Sequence, residues 1–353
     1  MQYRLNHVEK KDFNKELLSL AIPIGLQNLL IALIGATDAF MLGRFSQDAV
    51  SAVSLANQVV FIMNLFVGAV VGGGGTLLAQ YWGKGDKNMV KNIFCTIIKW
   101  SFGISLIFFA LAMFIPETLM RIYTPDAELI KIGASYLRAV AFSYLFSAVT
   151  QCYYLIMKLE GKAKKSVCIS IFTLVTDMVL DLFLIYGLLG TPKFGVNGSA
   201  YSTVIVELSA LVWCVIESHK KHCIHLDIKG LKWFSTDIIR DILKVAFPML
   251  GSSLAWGIGF SLHSLIMGHL GSDATAAASI TSVAQEMITC ICKGISAGAG
   301  IMIGKLLGQN LFDKAKSYGK QFCKVSIWTG GIHMLLLLLW QYSLYLRKLQ
   351  SYT

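Results

Sequence analysis

A chain of 353 residues that is 55% hydrophobic and only 14% charged, with a mean hydropathy of +0.63, has too few polar side chains to clothe a water-soluble surface. Its net charge of +11 would suit nucleic acid, but no basic stretch is interleaved with aromatic residues outside the apolar runs, so no nucleic-acid partner is expected. What remains is an all-α integral membrane protein, a polytopic helical bundle in contact with membrane lipid.

In chain order, apolar runs fall near 17–43, 49–80, 93–115, 134–157, 167–189, 199–217, 243–268, 274–304 and 322–346. Each reaches or approaches the roughly 20 residues a helix needs to cross the hydrocarbon core, which predicts nine spans. The N-terminal segment is basic and then apolar, like a secretory leader, but no small-x-small cleavage site precedes a soluble domain, so it is read as a retained first span. Before that span, Asp12 followed by Phe13, Leu17 and Leu18 predicts an amphipathic helix on the membrane surface. Ser235-Thr236-Asp237 followed by Ile238, Ile239, Ile242 and Leu243 predicts its counterpart before the seventh.

Lys and Arg alternate along the loops. The N-terminal segment and the even-numbered loops hold 21 of them, including Lys84, Lys87, Lys91, Lys158, Lys162 and Lys305, against six in the odd-numbered loops and C-terminal tail. By the positive-inside rule the N-terminus is expected in the cytoplasm of a multi-pass protein of the cell membrane. The eight cysteines lie mostly in apolar runs, with no Cys-x-x-Cys pair and no His at ligand spacing, and read as small buried hydrophobes.

The chain also repeats itself. Asp12, Ala21, Pro23, Gly43, Asp48, Ala52, Gly73, Gly83 and Lys91 recur as Asp237, Ala246, Pro248, Gly268, Asp273, Ala277, Gly298, Gly308 and Lys316, always 225 residues on, without a gap over about eighty residues. Such a repeat predicts two pseudo-symmetric helical lobes facing one another, an organisation common in transporters. The expected division is an N-lobe of six spans (1–217), a cytoplasmic linker (218–242) rich in His, Lys and Asp, and a second lobe (243–353) with about three spans. Six spans would complete that lobe, so the chain is expected to be cut short or altered by a frameshift near residue 333.

Ionisable side chains inside spans cost about 2.5–3.5 kcal/mol each on insertion scales and point to function. Asp38 in the first span, Asp177 and Asp181 on one face of the fifth, and Thr203 and Glu207 on one face of the sixth fall at similar depth, roughly 8–14 Å from the outer ends. Several carboxylates in one low-dielectric site need a proton or a bound cation, and hard oxygen ligands suit Na⁺ or H⁺. Asp177 and Glu207 also fit a structural role, bonded to neighbouring backbone or hydroxyl groups. In the second half, His263 stands where Asp38 stands in the first. Glu286 and Lys293 lie seven apart and are read first as an ion pair; His263 and Glu286 are accessory candidates at most.

Gly72-Gly73-Gly74-Gly75 lacks the Gly-Lys-Ser/Thr of a phosphate loop and reads as a site of close helix packing or bending. Pro23 and Pro248, at equivalent places, are expected to bend their helices. No nucleophile–base pair or metal-ligand motif stands in a loop, so an enzyme is not expected.

Pro23-Ile24-Gly25, Ala36-Thr37-Asp38-Ala39-Phe40-Met41-Leu42-Gly43, Ala79-Gln80-Tyr81-Trp82-Gly83-Lys84-Gly85-Asp86, Asp177 to Ile185 and Gly195-Val196-Asn197-Gly198 together resemble the multidrug and toxic compound extrusion (MATE) family, up to about residue 330. The resemblance implies twelve helices in two lobes around a central cleft. It also implies export of organic cations and other drugs in exchange for Na⁺ or H⁺, with no cofactor, by a monomer.

In the DinF-like branch the cation site has an aspartate on the first helix, an Asn and an Asp four apart on the fifth, and a Thr on the sixth. These positions match Asp38, Asp177, Asp181 and Thr203. Asp177 replaces the usual Asn and adds a negative charge. An inactive remnant of such a transporter, or a lipid-linked oligosaccharide flippase of the same superfamily, are the alternatives the sequence leaves open.

Overall fold

The computed structural model describes residues 7–187, 192–220, 223–226, 235–270 and 272–350. Ten helices account for nearly all of them: α1 (His7–Phe45), α2 (Gln47–Lys84), α3 (Lys87–Phe114), α4 (Pro116–Tyr123), α5 (Ala127–Leu159), α6 (Ala163–Tyr186), α7 (Val196–Ser218), α8 (Thr236–His269), α9 (Ser272–Gly308) and α10 (Phe312–Gln350). Eight of them, all but α4 and α10, are long and apolar enough to cross a membrane. The ninth predicted run, 322–346, lies within α10.

Each boundary has a local cause. Asp86 and Asp126 cap α3 and α5 by accepting hydrogen bonds from Met89 N–H (3.0 Å) and Glu128 N–H (2.8 Å). Gly85 and Gly187 end α2 and α6 in the left-handed region, at φ 79° and 71°, where a side chain would be strained. Pro116 opens the eight-residue α4, which the sequence reading left as loop.

The surface helices predicted before the first and seventh spans are not separate. α1 and α8 each run unbroken from the interface into the apolar segment, because no Gly or Pro interrupts the first turns and the buried stripe is continuous. Phe13, Leu17 and Ala21 in α1 are buried, as are their equivalents Ile238, Ile242 and Ala246 in α8. Ser235 caps α8 as expected, accepting from Ile238 N–H at 3.5 Å.

Helices α1–α7 form one bundle, in which α5 packs on α2, α3 and α7 while α6 packs on α1 and α7. The second half meets it through α8 on α2 and through α9 on both α1 and α2, and α10 packs on α9. The four-glycine run sits at this junction: a Cβ on Gly73 would come within 2.8 Å of Ala246, and the Gly74 position faces Ile97. On the loop side, Glu160 accepts from Lys162 Nζ (2.6 Å) and from Ile224 N–H (2.7 Å), while buried Glu217 pairs with Lys165 and, at 2.5 Å, with Lys220. These contacts tie the start of the 218–242 segment to the α5–α6 turn. All eight cysteines are free.

Candidate functional site

Two helices bring Asp38 (α1) together with Asp177 and Asp181 (α6), each offering a carboxylate oxygen within 4.8 Å of the others. Spacing alone aligns the α6 pair, since residues four apart share a helix face. Both are fully buried, whereas Asp38 is half-buried. Asp38 Oδ1, Asp177 Oδ2 and Asp181 Oδ2 are each buried without a hydrogen-bond partner among the described residues. The negative charges of Asp177 and Asp181 both act on Asp38. Three acidic groups with inward-turned, unsatisfied oxygens form a donor set suited to a hard cation or protons.

The residue that joins the α6 pair is Ser202 of α7, which the sequence reading passed over for its neighbour Thr203. Ser202 Oγ lies 2.5 Å from Asp181 Oδ1 and 3.0 Å from Asp177 Oδ1. Thr203 Oγ1 instead donates to the carbonyl of Ser199 at 3.0 Å, the usual resting place of a helical hydroxyl. Ser199, a turn before, is buried with its own hydroxyl unpartnered among the described residues. Glu207, one turn beyond Thr203, is half-buried and feels the charge of Asp177.

Asp38 also faces a second space. A cavity of about 360 Å³ lies between the two halves, walled by Asp38, Gln58 and Phe61 on one side and by Phe260, His263 and Glu286 on the other. An aromatic cluster flanks it: Phe61 packs on Phe260 and Trp256 (ring centroids 5.3 and 5.8 Å), and Trp256 stacks on Phe260. Such faces accommodate flat or cationic organic molecules. His263 thus stands across the cavity from its equivalent, Asp38, and outside the carboxylate cluster. Glu286 forms the expected ion pair with Lys293 while its residue lines the cavity. Pro23 and Pro248 both lie inside their helices, where each removes one backbone hydrogen bond.

Eight apolar helices, a buried carboxylate cluster and a cavity between two halves define a multi-pass membrane protein of transporter architecture. The profile of the MatE family matches residues 23–183 and again 248–348, two matches whose starts stand 225 residues apart, and the chain belongs to that family. Similar curated proteins include the uncharacterized transporter YisQ of Bacillus subtilis, 24% identical over 90% of this chain and 69% of that protein. Another is the "probable multidrug resistance protein NorM" of Thermotoga maritima, 23% identical over 87% of this chain and 67% of that one.

Among solved structures, a MOP superfamily transporter from Pyrococcus furiosus superposes with a TM-score of 0.82 at 18% identity, over 93% of this chain and 72% of that one. A multidrug resistance MATE family transporter in an outward-facing conformation superposes with a TM-score of 0.79 over 90% and 70%. The fold is therefore the MATE transporter fold.

Proposed function

We propose that this protein is a cation-coupled multidrug exporter, an antiporter that exchanges organic cations and other drugs for Na⁺ or H⁺ by alternating access. The observation that carries the reading is the double position of Asp38, which belongs to the three-carboxylate cluster and also to the wall of the cavity between the halves. A cation entering the cluster changes the charge that the cavity presents, so ion and drug each alter the affinity for the other. The relatives named as multidrug resistance proteins support the same substrate class.

In this reading Asp38, Asp177 and Asp181 hold the coupling ion, Ser202 positions the α6 pair, and Thr203 supplies a further hydroxyl. Glu207, His263 and Glu286 are accessory groups, and Pro23 and Pro248 give the first and seventh spans places to bend. The N-lobe is 1–217, the linker 218–242 and the second half 243–353. The excess of Lys and Arg at the 84–91, 158–165 and 305–320 ends supports a cytoplasmic N-terminus in the cell membrane, leaving the cavity toward the outside.

The test is export of a fluorescent organic cation in everted membrane vesicles under an imposed Na⁺ or pH gradient, beside Asp38→Asn at equal membrane expression. Export that follows one gradient and is lost in the variant identifies the ion. Undiminished export by Asp38→Asn rejects the coupling role.

A further inference from the structure

The sequence repeat has a three-dimensional counterpart at the lysine-rich ends of α2 and α9. Ala79 and Gly304 are equivalent residues, and they meet: a Cβ on Gly304 would lie 2.5 Å from that of Ala79. The pseudo-two-fold axis therefore passes between them. One turn further on, the contacts become reciprocal. A Cβ on Gly83 would strike the carbonyl oxygen of Lys305, and a Cβ on Gly308 would strike that of Gln80. Lys305 is the equivalent of Gln80, and Gly308 of Gly83.

At both places backbone lies directly on backbone with no side chain between. Close approaches continue at the neighbouring junctions, with Gly73 against Ala246 and Gly294 against the backbone of Ala21 and Gly25. At the opposite ends of the same helices the halves diverge around the cavity.

We propose that the reciprocal α2–α9 crossing at Gly83 and Gly308 is the inner gate of the transport cycle, closed while the cavity is open at the far side. The proposal rests on the alternating-access reading above. A crossing made of glycine against carbonyl has no interlocked side chains, so the halves separate by rigid-body rocking without rotamer rearrangement. It closes fully because nothing stands between the backbones. Any side chain at 83 or 308 acts as a wedge, and by symmetry either position has the same effect.

The experiment replaces Gly83 or Gly308 by Ala in the full chain. Gly68→Ala in α2 and Gly300→Ala in α9 are controls, since an added Cβ there has nothing within 4 Å. Each is combined with Thr76→Cys, beside the crossing, and labelling by a membrane-impermeant maleimide is followed from the cytoplasmic face, corrected for the native cysteines. Gly83→Ala and Gly308→Ala should each raise labelling about tenfold, while both controls leave it unchanged. Equal labelling in all four well-folded variants overturns the gate.

If the wedge variants fail to accumulate, Gln80→Cys and Lys305→Cys are bridged in otherwise unaltered helices by a bis-methanethiosulfonate, which forms a disulfide with each thiol, releases two methanesulfinates and is cleaved by a thiol reductant. Loss of fluorescent-cation export on bridging, regained on cleavage, supports the gate, and export that survives bridging overturns it. Labelling does not depend on any transported compound. A chain that exports nothing under any gradient but shows the tenfold difference thus rejects the exporter reading and keeps the gate.

Discussion

Ser202 on α7 and Asp181 on α6 are joined by a hydrogen bond of 2.5 Å, and the same hydroxyl oxygen lies 3.0 Å from Asp177. A hydroxyl has one proton to donate, so it bonds both carboxyl groups at once only when one of them is protonated and donates in return, and through these contacts it ties α6 to α7. Ser202→Ala removes that tie and leaves the facing oxygens of both aspartates without their partner. The expected cost is about 1–3 kcal/mol of stability, together with weaker ion coupling. A higher ion concentration for half-maximal export, with protein still present in the membrane, checks it.

Asp177→Asn tests the extra charge. The amide nitrogen can donate to Ser202 Oγ while that hydroxyl donates to Asp181, so the local geometry persists while one of three negative charges disappears. Export should continue, with the half-maximal ion concentration raised by about tenfold, the equivalent of about 1.4 kcal/mol of lost attraction. Measuring export across a series of Na⁺ concentrations and external pH values shows which ion's dependence moves. No change in either rejects a part for this carboxylate in coupling.

Much of this site was legible in the sequence, and the reasons are physical. Asp38, Asp177 and Asp181 stand out because a charge in an apolar run is costly, and the i,i+4 spacing aligns the α6 pair. Ser202 was invisible because a serine in a membrane helix ordinarily satisfies itself on a carbonyl one turn back, as Ser209 does on Val206 at 2.7 Å. Nothing in its spacing separates it from Thr203, whose hydroxyl takes that ordinary bond.

The same division holds for the fold. Apolar length gave away the spans, whereas the short α4, with one turn of buried contacts at Met120 and Tyr123, has too few residues for a pattern. The merging of the surface helices into α1 and α8 depends on what α10 and α2 offer them, which only packing reveals.

Phe13 illustrates that packing. It meets Tyr318 and Phe322 of α10 edge-on, at 4.8 and 4.9 Å between centroids, and is 2% exposed. Phe13→Ala is expected to cost about 3–5 kcal/mol, seen as a lower unfolding temperature in detergent. Leu18→Ala, at an exposed position of the same helix, should cost far less.

Glu217 predicts an asymmetry. Its side chain is 5% exposed, while Lys165 and Lys220 are 47% and 60% exposed. Glu217→Gln releases two lysines that water receives readily, so the loss should be about 1 kcal/mol. Replacing both lysines by Met strands a buried carboxylate and should cost about 3–5 kcal/mol. Thermal unfolding of the two variants orders them, and equal losses reject the buried-charge account.

The meeting of Ala79 with Gly304 also bears on symmetry. In an assembly of two identical halves, the residue on the symmetry axis would face its own copy, and any side chain would be opposed by itself. Two alanines at this place would collide, so a dimer of identical halves would be held to glycine there. Joining both halves in one polypeptide releases that restriction. One half carries a methyl group there and the other does not, an asymmetry that two identical halves could not have.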